Sequence, residues 1–282
     1  MSLTHSAPTQ GKGRKTKFRD KYLPGIISIT SVVVVFWLIR SIVVQAEQWP
    51  RIKAQFFDLD AIIEVFPRVL HGFGINMAVW SVSLVVIAVW ALMIAVVRSL
   101  NGPWFTPLRV FSIIYIDLLR GLPSLLLVLL FGFGIPALQI PGLPNSSLFW
   151  GAIAMIGSYS AYAAEVYRSG IEAVHDGQRA AAKALGLSQI QTLWFAILPQ
   201  AIRNVIPSLL NLAVALQKDV ALLSVLGVRD AVREAQIYTA RTFNYSSLIA
   251  AALLFLIATI PLARFTDYVT KKDQERRLQR TN

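Results

Sequence analysis

Cysteine is absent from the 282 residues, which excludes disulfides, thiolate metal sites and cysteine nucleophiles. Histidine is nearly absent. His5, His71 and His175 are far apart, and none has the spacing of a helical zinc pair. No GxxxxGK[ST] run occurs, so the chain brings no phosphate loop of its own for ATP and Mg. Charge is scarce too. Only 15% of residues are charged, against about a quarter in a soluble domain. Acidic residues are fewer still, 15 against 27 basic ones. A net charge of +12 would suggest nucleic acid in a soluble protein. Here no face interleaves aromatic and basic residues, and the basic residues gather in loops and tails instead.

What the chain does have is long apolar runs: 55% of residues are hydrophobic and mean hydropathy is +0.57. A helix crosses the ~30 Å hydrocarbon core with roughly 20 apolar residues. The composition therefore predicts an all-α, polytopic membrane protein. Residues 1–23 form a polar tail with Lys12, Arg14, Lys15, Lys17, Arg19 and Lys21. A first span follows at 24–46. It is longer than the apolar stretch of a cleaved signal peptide, although Val44-Gln45-Ala46 imitates a cleavage site. Residues 47–71 mix charge with Trp49 and Phe56-Phe57 and read as an external connector containing a short surface helix.

Five more spans fit residues 72–268: Gly72–Val97, Val110–Gly134, Leu148–Arg168, Gln200–Leu226 and Ser246–Tyr268. Asn101-Gly102-Pro103 is a turn, and Pro123 and Pro207 are expected to bend their helices. A basic tail occupies 269–282. Six spans place both termini on one side. That side holds 17 Lys and Arg in its tails and loops, against six on the other, namely Arg51, Lys53, Arg68, Arg229, Arg233 and Arg241. By the positive-inside rule both termini are cytoplasmic.

The polar segment 176–198 then faces the cytoplasm. Gln178 to Leu185 is an alanine-rich run of strong helix formers. Gly186 suits the left-handed residue that closes a helix. Ser188 with Gln191 forms a capping box for a second short helix, which Pro199 is expected to end. Small side chains at Ala180, Ala181 and Ala182 would let another surface approach closely. An alanine-rich helix lying on the membrane is the alternative.

These residues resemble the motif of type I ABC importer permeases: E-A-A, three residues, Gly, nine residues, then I-x-L-P. Here it reads Ala180-Ala181-Ala182, Gly186, and Ala196-Ile197-Leu198-Pro199. Leu119-Arg120-Gly121-Leu122-Pro123 is similar to the family's FRGTP, and Ala161-Tyr162-Ala163-Ala164-Glu165 with Gly170-Ile171 resembles AYxAE…GGI. Lys218-Asp219-Val220-Ala221-Leu222 resembles KDTSL. Together these point to the polar amino acid branch, over about residues 72–268.

The resemblance implies a five-helix core preceded by an extra N-terminal helix, in the cytoplasmic membrane of a prokaryote. It also implies a coupling helix in which Gly177, Arg179, Ala180, Ala181, Ala182, Leu185 and Gly186 meet an ATPase. The implied partners are two ATPase subunits that bind ATP and Mg, a second permease, same or homologous, and an extracytoplasmic amino-acid-binding protein. The chain itself would hold no cofactor and would not be an enzyme. The motif glutamate is Ala180 here and its isoleucine is Ala196. The polar contact made by that glutamate must be absent, replaced by Arg179 or Gln178, or supplied by a different second permease.

Ionisable groups inside spans are costly and mark function by default. Lys218 and Asp219 are adjacent, so they point apart and at least one should face the bundle. They contribute to a substrate path or outer gate, or form an ion pair with another span. Asp117 with Arg120, and Glu165 with Arg168, are three residues apart and expected near cytoplasmic ends. They either lock helices or serve an inner gate or the charged ends of an amino acid. A secondary transporter running on an ion gradient is the rival function. It predicts matching acidic groups in two repeated halves, and no internal repeat is visible.

Overall fold

The computed structural model describes residues 18–44, 46–100 and 102–281. The expected basic tail up to Lys17, Gln45 of the cleavage-like triplet and Asn101 of the turn lie outside the described residues. The chain forms two units, up to Ala54 and from Gln55 on.

In the first unit, α1 (Phe18–Ile39) continues through a π turn, Arg40–Val44. Its Gly25–Ile42 stretch is apolar apart from Arg40 and four hydroxyl residues, and none of it is buried. Its length and hydropathy suit a membrane span. A short helix, α2 (Trp49–Phe56), crosses into the second unit.

The second unit is a helical bundle. The helix α3 (Leu59–Ser99) has 41 residues, or ~61 Å at 1.5 Å per residue, twice the hydrocarbon thickness. Asp58 caps it, its Oδ1 accepting from the backbone of Asp60 and Ala61 at 3.1 and 3.2 Å. The second helix therefore begins thirteen residues before the expected Gly72. Most of the expected connector is helical, because capping by Asp58 outweighs the mixed charge beyond it.

The expected third span is broken. Helix α4 (Thr106–Gly121) stops at Leu122-Pro123, and α5 (Ser124–Leu129), a π turn (Leu130–Gly134) and α6 (Ile135–Ala137) follow at 103° to it. Proline forces its predecessor out of helical geometry, and Leu122 is extended, with ψ 141°. Pro207 instead lies inside a continuous helix.

Helix α7 (Ser147–Glu172) is the centre of the bundle, packed against α3, α4, α5 and α10 (Leu198–Asp219). Its buried residues include a run of small ones, Gly151, Ala154, Ser158, Ala161 and Ala164, beside the larger Met155, Tyr159 and Ile171. Small residues let helix backbones approach closely, which is how membrane bundles pack without a hydrophobic drive between helices. A second core joins the first half of α3 to α11 (Ala231–Thr242) and α12 (Ser246–Thr281) through Val65, Val69, Ala235, Tyr238 and Ala251. At Gly72 a Cβ would lie 2.4 Å from the carbonyl carbon of Asp230, so only glycine permits this crossing.

Among the described residues four helices are long and apolar enough to cross a membrane, or five if the bent pair counts as one span. Helix α7 is long enough at 26 residues but carries Glu165, Arg168 and Glu172. The expectation of six spans is thus not met by length and composition alone.

Candidate functional site: an elbow and a band of charge

After α7 the chain turns at Val174 and His175. The His175 Nδ1 accepts from the Gly177 N–H at 3.0 Å and caps α8 (Asp176–Ala184). Gly186 adopts φ +76°. The Leu187 N–H donates to the Ala182 carbonyl at 3.1 Å and the Gly186 N–H to that of Lys183 at 2.9 Å, the paired bonds of a Schellman stop. Next the Ser188 Oγ accepts from the Gln191 N–H at 3.3 Å, and the Gln191 Oε1 from the Ser188 N–H at 2.9 Å. Both halves of the expected capping box are present.

The expected second short helix is different. Helix α9 (Gln189–Gln191) passes through a π turn, Thr192–Ile197, directly into α10. Pro199 does not end it. It sits in the first turn of α10, where its missing N–H is harmless, and the π turn absorbs the mismatch. The elbow is therefore one short helix hinged to the foot of a long one.

Of the expected docking residues, Ala182 is buried, while Gly177, Ala180, Ala181 and Leu185 are exposed, Leu185 at 81%. Arg179 turns back, its Nη2 donating to the Ile171 carbonyl at 3.0 Å, with Asp176 4.0 Å from its Nε. The Gln200 Nε2 donates to the Gln178 Oε1 at 3.4 Å and to the Ala196 carbonyl at 2.8 Å. Arg179 and Gln178 thus tie α8 to the end of α7 and the start of α10 without a glutamate at position 180.

Above the elbow, Glu165 stands between two cations. It pairs with Arg98 at the end of α3 and with Arg168 Nη2 at 2.8 Å, and Arg168 reaches Glu172 at 2.5 Å. The expected Glu165–Arg168 pair forms. Its partner Arg98, 67 residues distant, carried no local signal. Asp117 and Arg120 do not pair with each other. Both are exposed, and the Arg120 guanidinium lies 5.3 Å from the centre of the Tyr162 ring. Arg120 is in the last turn of α4, ~21 Å from Thr106 by helical rise, beside the bend.

Asp219 is half-buried and accepts from the Tyr159 hydroxyl at 2.7 Å, while Lys218 is exposed, with no ion pair among the described residues. Tyr159 and Tyr162 are three apart on α7 and share a face. Arg120, Tyr162, Tyr159 and Asp219 therefore form a band across α4, α7 and α10, positive at one end and negative at the other. Tyr162 entered the sequence reading only as part of the AYxAE-like segment, and Tyr159 was not singled out.

A further polar node was also missed. Asn76 is fully buried on α3, its Nδ2 donating to the Asp230 Oδ2 at 3.0 Å and its Oδ1 accepting from the Ala231 N–H at 3.2 Å. Asp230 caps α11, accepting from the Arg233 N–H at 2.8 Å. Burial pushes its carboxyl above the ordinary aspartate value, against the pull of these hydrogen bonds.

Residues 103–272 match the family described as "Binding-protein-dependent transport system inner membrane component", a stretch holding the elbow and the whole band. The chain belongs to this family. The arginine transport system permease protein of Bacillus subtilis is 32% identical to this inner membrane component over 76% of this chain and 96% of its own. An inner membrane amino-acid ABC transporter permease protein of Escherichia coli is 29% identical over 88% and 70%. A solved amino acid ABC transporter with histidines superposes with a TM-score of 0.67 at 27% identity, covering 76% of this chain and 98% of that one. The inner membrane component thus shares sequence with permease proteins over 96% and 70% of their lengths, and its fold with a solved amino acid ABC transporter over 98% of that chain.

Proposed function

We propose that this chain is the membrane-spanning permease subunit of an ATP-binding-cassette importer that carries a polar amino acid inward by alternating access. The observation that carries the proposal is α8, a helix closed at both ends by its own caps, anchored through Arg179 and Gln178, and presenting Ala180, Ala181 and Leu185 outward. The substrate class is supported by the names of the relatives and of the solved transporter.

In this proposal six helices cross the bilayer, α7 among them. Its 26 residues reach ~39 Å, and its Glu165 faces Arg98 of α3, while Arg168 and Glu172 pair close to its end. Both termini and α8 are cytoplasmic. Two permeases, same or homologous, each seat α8 on an ATPase subunit that holds ATP and Mg, and a binding protein delivers the amino acid from outside. ATP-driven closure of the ATPase pair moves the α8 helices together. Because α8 is hinged to the foot of α10, that movement reaches Asp219 at the far end of α10. Arg120 offers a guanidinium to the substrate carboxylate, and Asp219 an acceptor to its ammonium. Catalysis of hydrolysis lies wholly with the ATPase.

Leu185→Asp tests docking without disturbing the caps. The variant is expected to insert normally, to lose at least tenfold in recovery of the ATPase on co-purification, and to lose uptake. Undiminished recovery would place docking elsewhere.

A further inference from the structure

Two cavities lie end to end on one stripe of α3. The first, about 360 Å³, is almost wholly apolar and lies between Val89, Leu92, Met93 and Val96 on one side and Tyr167 and Trp194 on the other. The second, about 300 Å³, begins at Ser99, on the same stripe, and is lined by Arg179, Lys183, Gln189 and Thr192. Adjacent residues, Leu193 and Trp194, divide them. From Ala88 to Ser99 the stripe runs 11 residues, or ~16 Å. One leaflet of the hydrocarbon core is ~15 Å deep.

The cationic end has two features that the elbow's own packing leaves unused. Lys183 is exposed and has no ion pair among the described residues. Thr192 is 6% exposed, and its hydroxyl has no hydrogen-bond partner among the described residues, although a buried hydroxyl without a partner is costly. Arg179 spends its Nη2 on the Ile171 carbonyl and keeps further donors. An apolar groove of leaflet depth, opening into a chamber with two cations and an unpartnered hydroxyl, is the outline of an acyl chain attached to a phosphate.

We propose that an anionic phospholipid occupies these two cavities, an acyl chain along α3 against Trp194 and its phosphate between Lys183, Arg179 and Thr192. The lipid then bridges the end of α3 and the elbow, so the angle of α8 depends on the anionic lipid of the cytoplasmic leaflet. Basic pockets on that side of membrane proteins favour such headgroups. The choice of leaflet rests on the proposed topology. The binding itself does not.

The test is native mass spectrometry of the purified full chain, exchanged from detergent into phosphatidylglycerol or phosphatidylcholine vesicles and re-extracted. One phosphatidylglycerol is expected to stay bound, and phosphatidylcholine is not. Lys183→Glu should lower phosphatidylglycerol occupancy about tenfold, given roughly 1 kcal/mol per basic residue near the surface and a reversal of charge. Lys271→Glu, an identical charge change on exposed α12, should alter it less than twofold. Trp194→Ala should release the lipid with every cation intact. Equal loss in both lysine variants, equal retention of the two lipids, or occupancy unaffected by Lys183→Glu would each overturn the proposal. Displacement by excess inorganic phosphate while Trp194→Ala has no effect would make this a site for free phosphate and overturn the lipid. None of these readouts needs an ATPase, so the importer reading can fail separately.

Discussion

Among the described residues, Glu165 is the one acidic side chain above the elbow that faces cations from two helices. Its side chain is 18% exposed and faces guanidiniums from two helices, Arg98 of α3 and Arg168 of its own α7. Removing one partner of a buried pair costs 3–5 kcal/mol, because the charge left behind is uncompensated. Partial exposure puts Glu165→Gln nearer ~2 kcal/mol. For a chain of this size that is a fall of roughly 4–8 °C in the melting midpoint of the detergent-solubilised protein, read by differential scanning fluorimetry. Adding Arg98→Gln should recover part of the loss, since the two residues couple. A purely additive pair would mean that the contact contributes nothing. Asp230 makes the opposite argument. Burial raises its folded-state value, so the folded chain holds this proton more tightly than the unfolded one. Its contribution is complete below the ordinary aspartate value of ~3.9 and is lost as pH rises through the raised one. Asp230→Asn should flatten that decline in a plot of stability against pH, even though the amide forfeits the hydrogen bond from Asn76.

At the scale of elements, the elbow was the most legible part of the chain because its signals are local. Gly186, Ser188 and Gln191 act on backbone within five residues, and no tertiary partner is needed to read them. The same locality explains the misses. Asp58 starts α3 early, and its cap was hidden inside a stretch that looked like a charged connector. The break at Leu122-Pro123 is visible as a proline, but its 103° turn depends on what α5 packs against. The contacts of Arg98 with Glu165 and of Asn76 with Asp230 join residues 67 and 154 positions apart, and no window of sequence contains both. The elbow supports a prediction of its own. With φ at +76°, Gly186→Val forces a β-branched residue into a region that costs L-residues roughly 1–2 kcal/mol. The Schellman bonds should open and α8 lose its fixed angle. Substrate-stimulated ATP hydrolysis by the assembled complex should fall several-fold, whereas Gly186→Asn, which tolerates this conformation, should retain most of it. Equal activity in both variants would mean that the angle of α8 is immaterial.

For the whole molecule, the coupling role depends on which face of the bilayer each end of the bundle meets. The helices that could cross are clear from length and hydropathy, but α7 crosses only if its polar side chains are sheltered by neighbours, and its crossing fixes the sidedness of all that follows. If it crosses, Leu185 on α8 faces the cytoplasm and Arg241 on α11, one crossing further on, faces the outside. Both are exposed, Leu185 at 81%. The native chain has no cysteine, so single cysteines can be introduced without first altering the protein. In intact cells Arg241→Cys should react with a membrane-impermeant maleimide, and Leu185→Cys should react only after permeabilisation. Inserting α7 as a surface helix would remove one crossing between Leu185 and the first half of the chain and leave α8 outside, where no ATP-driven partner could reach it. Labelling of Leu185→Cys from outside would therefore remove the coupling role, whatever the caps, the ion pairs and the likeness to known permeases suggest.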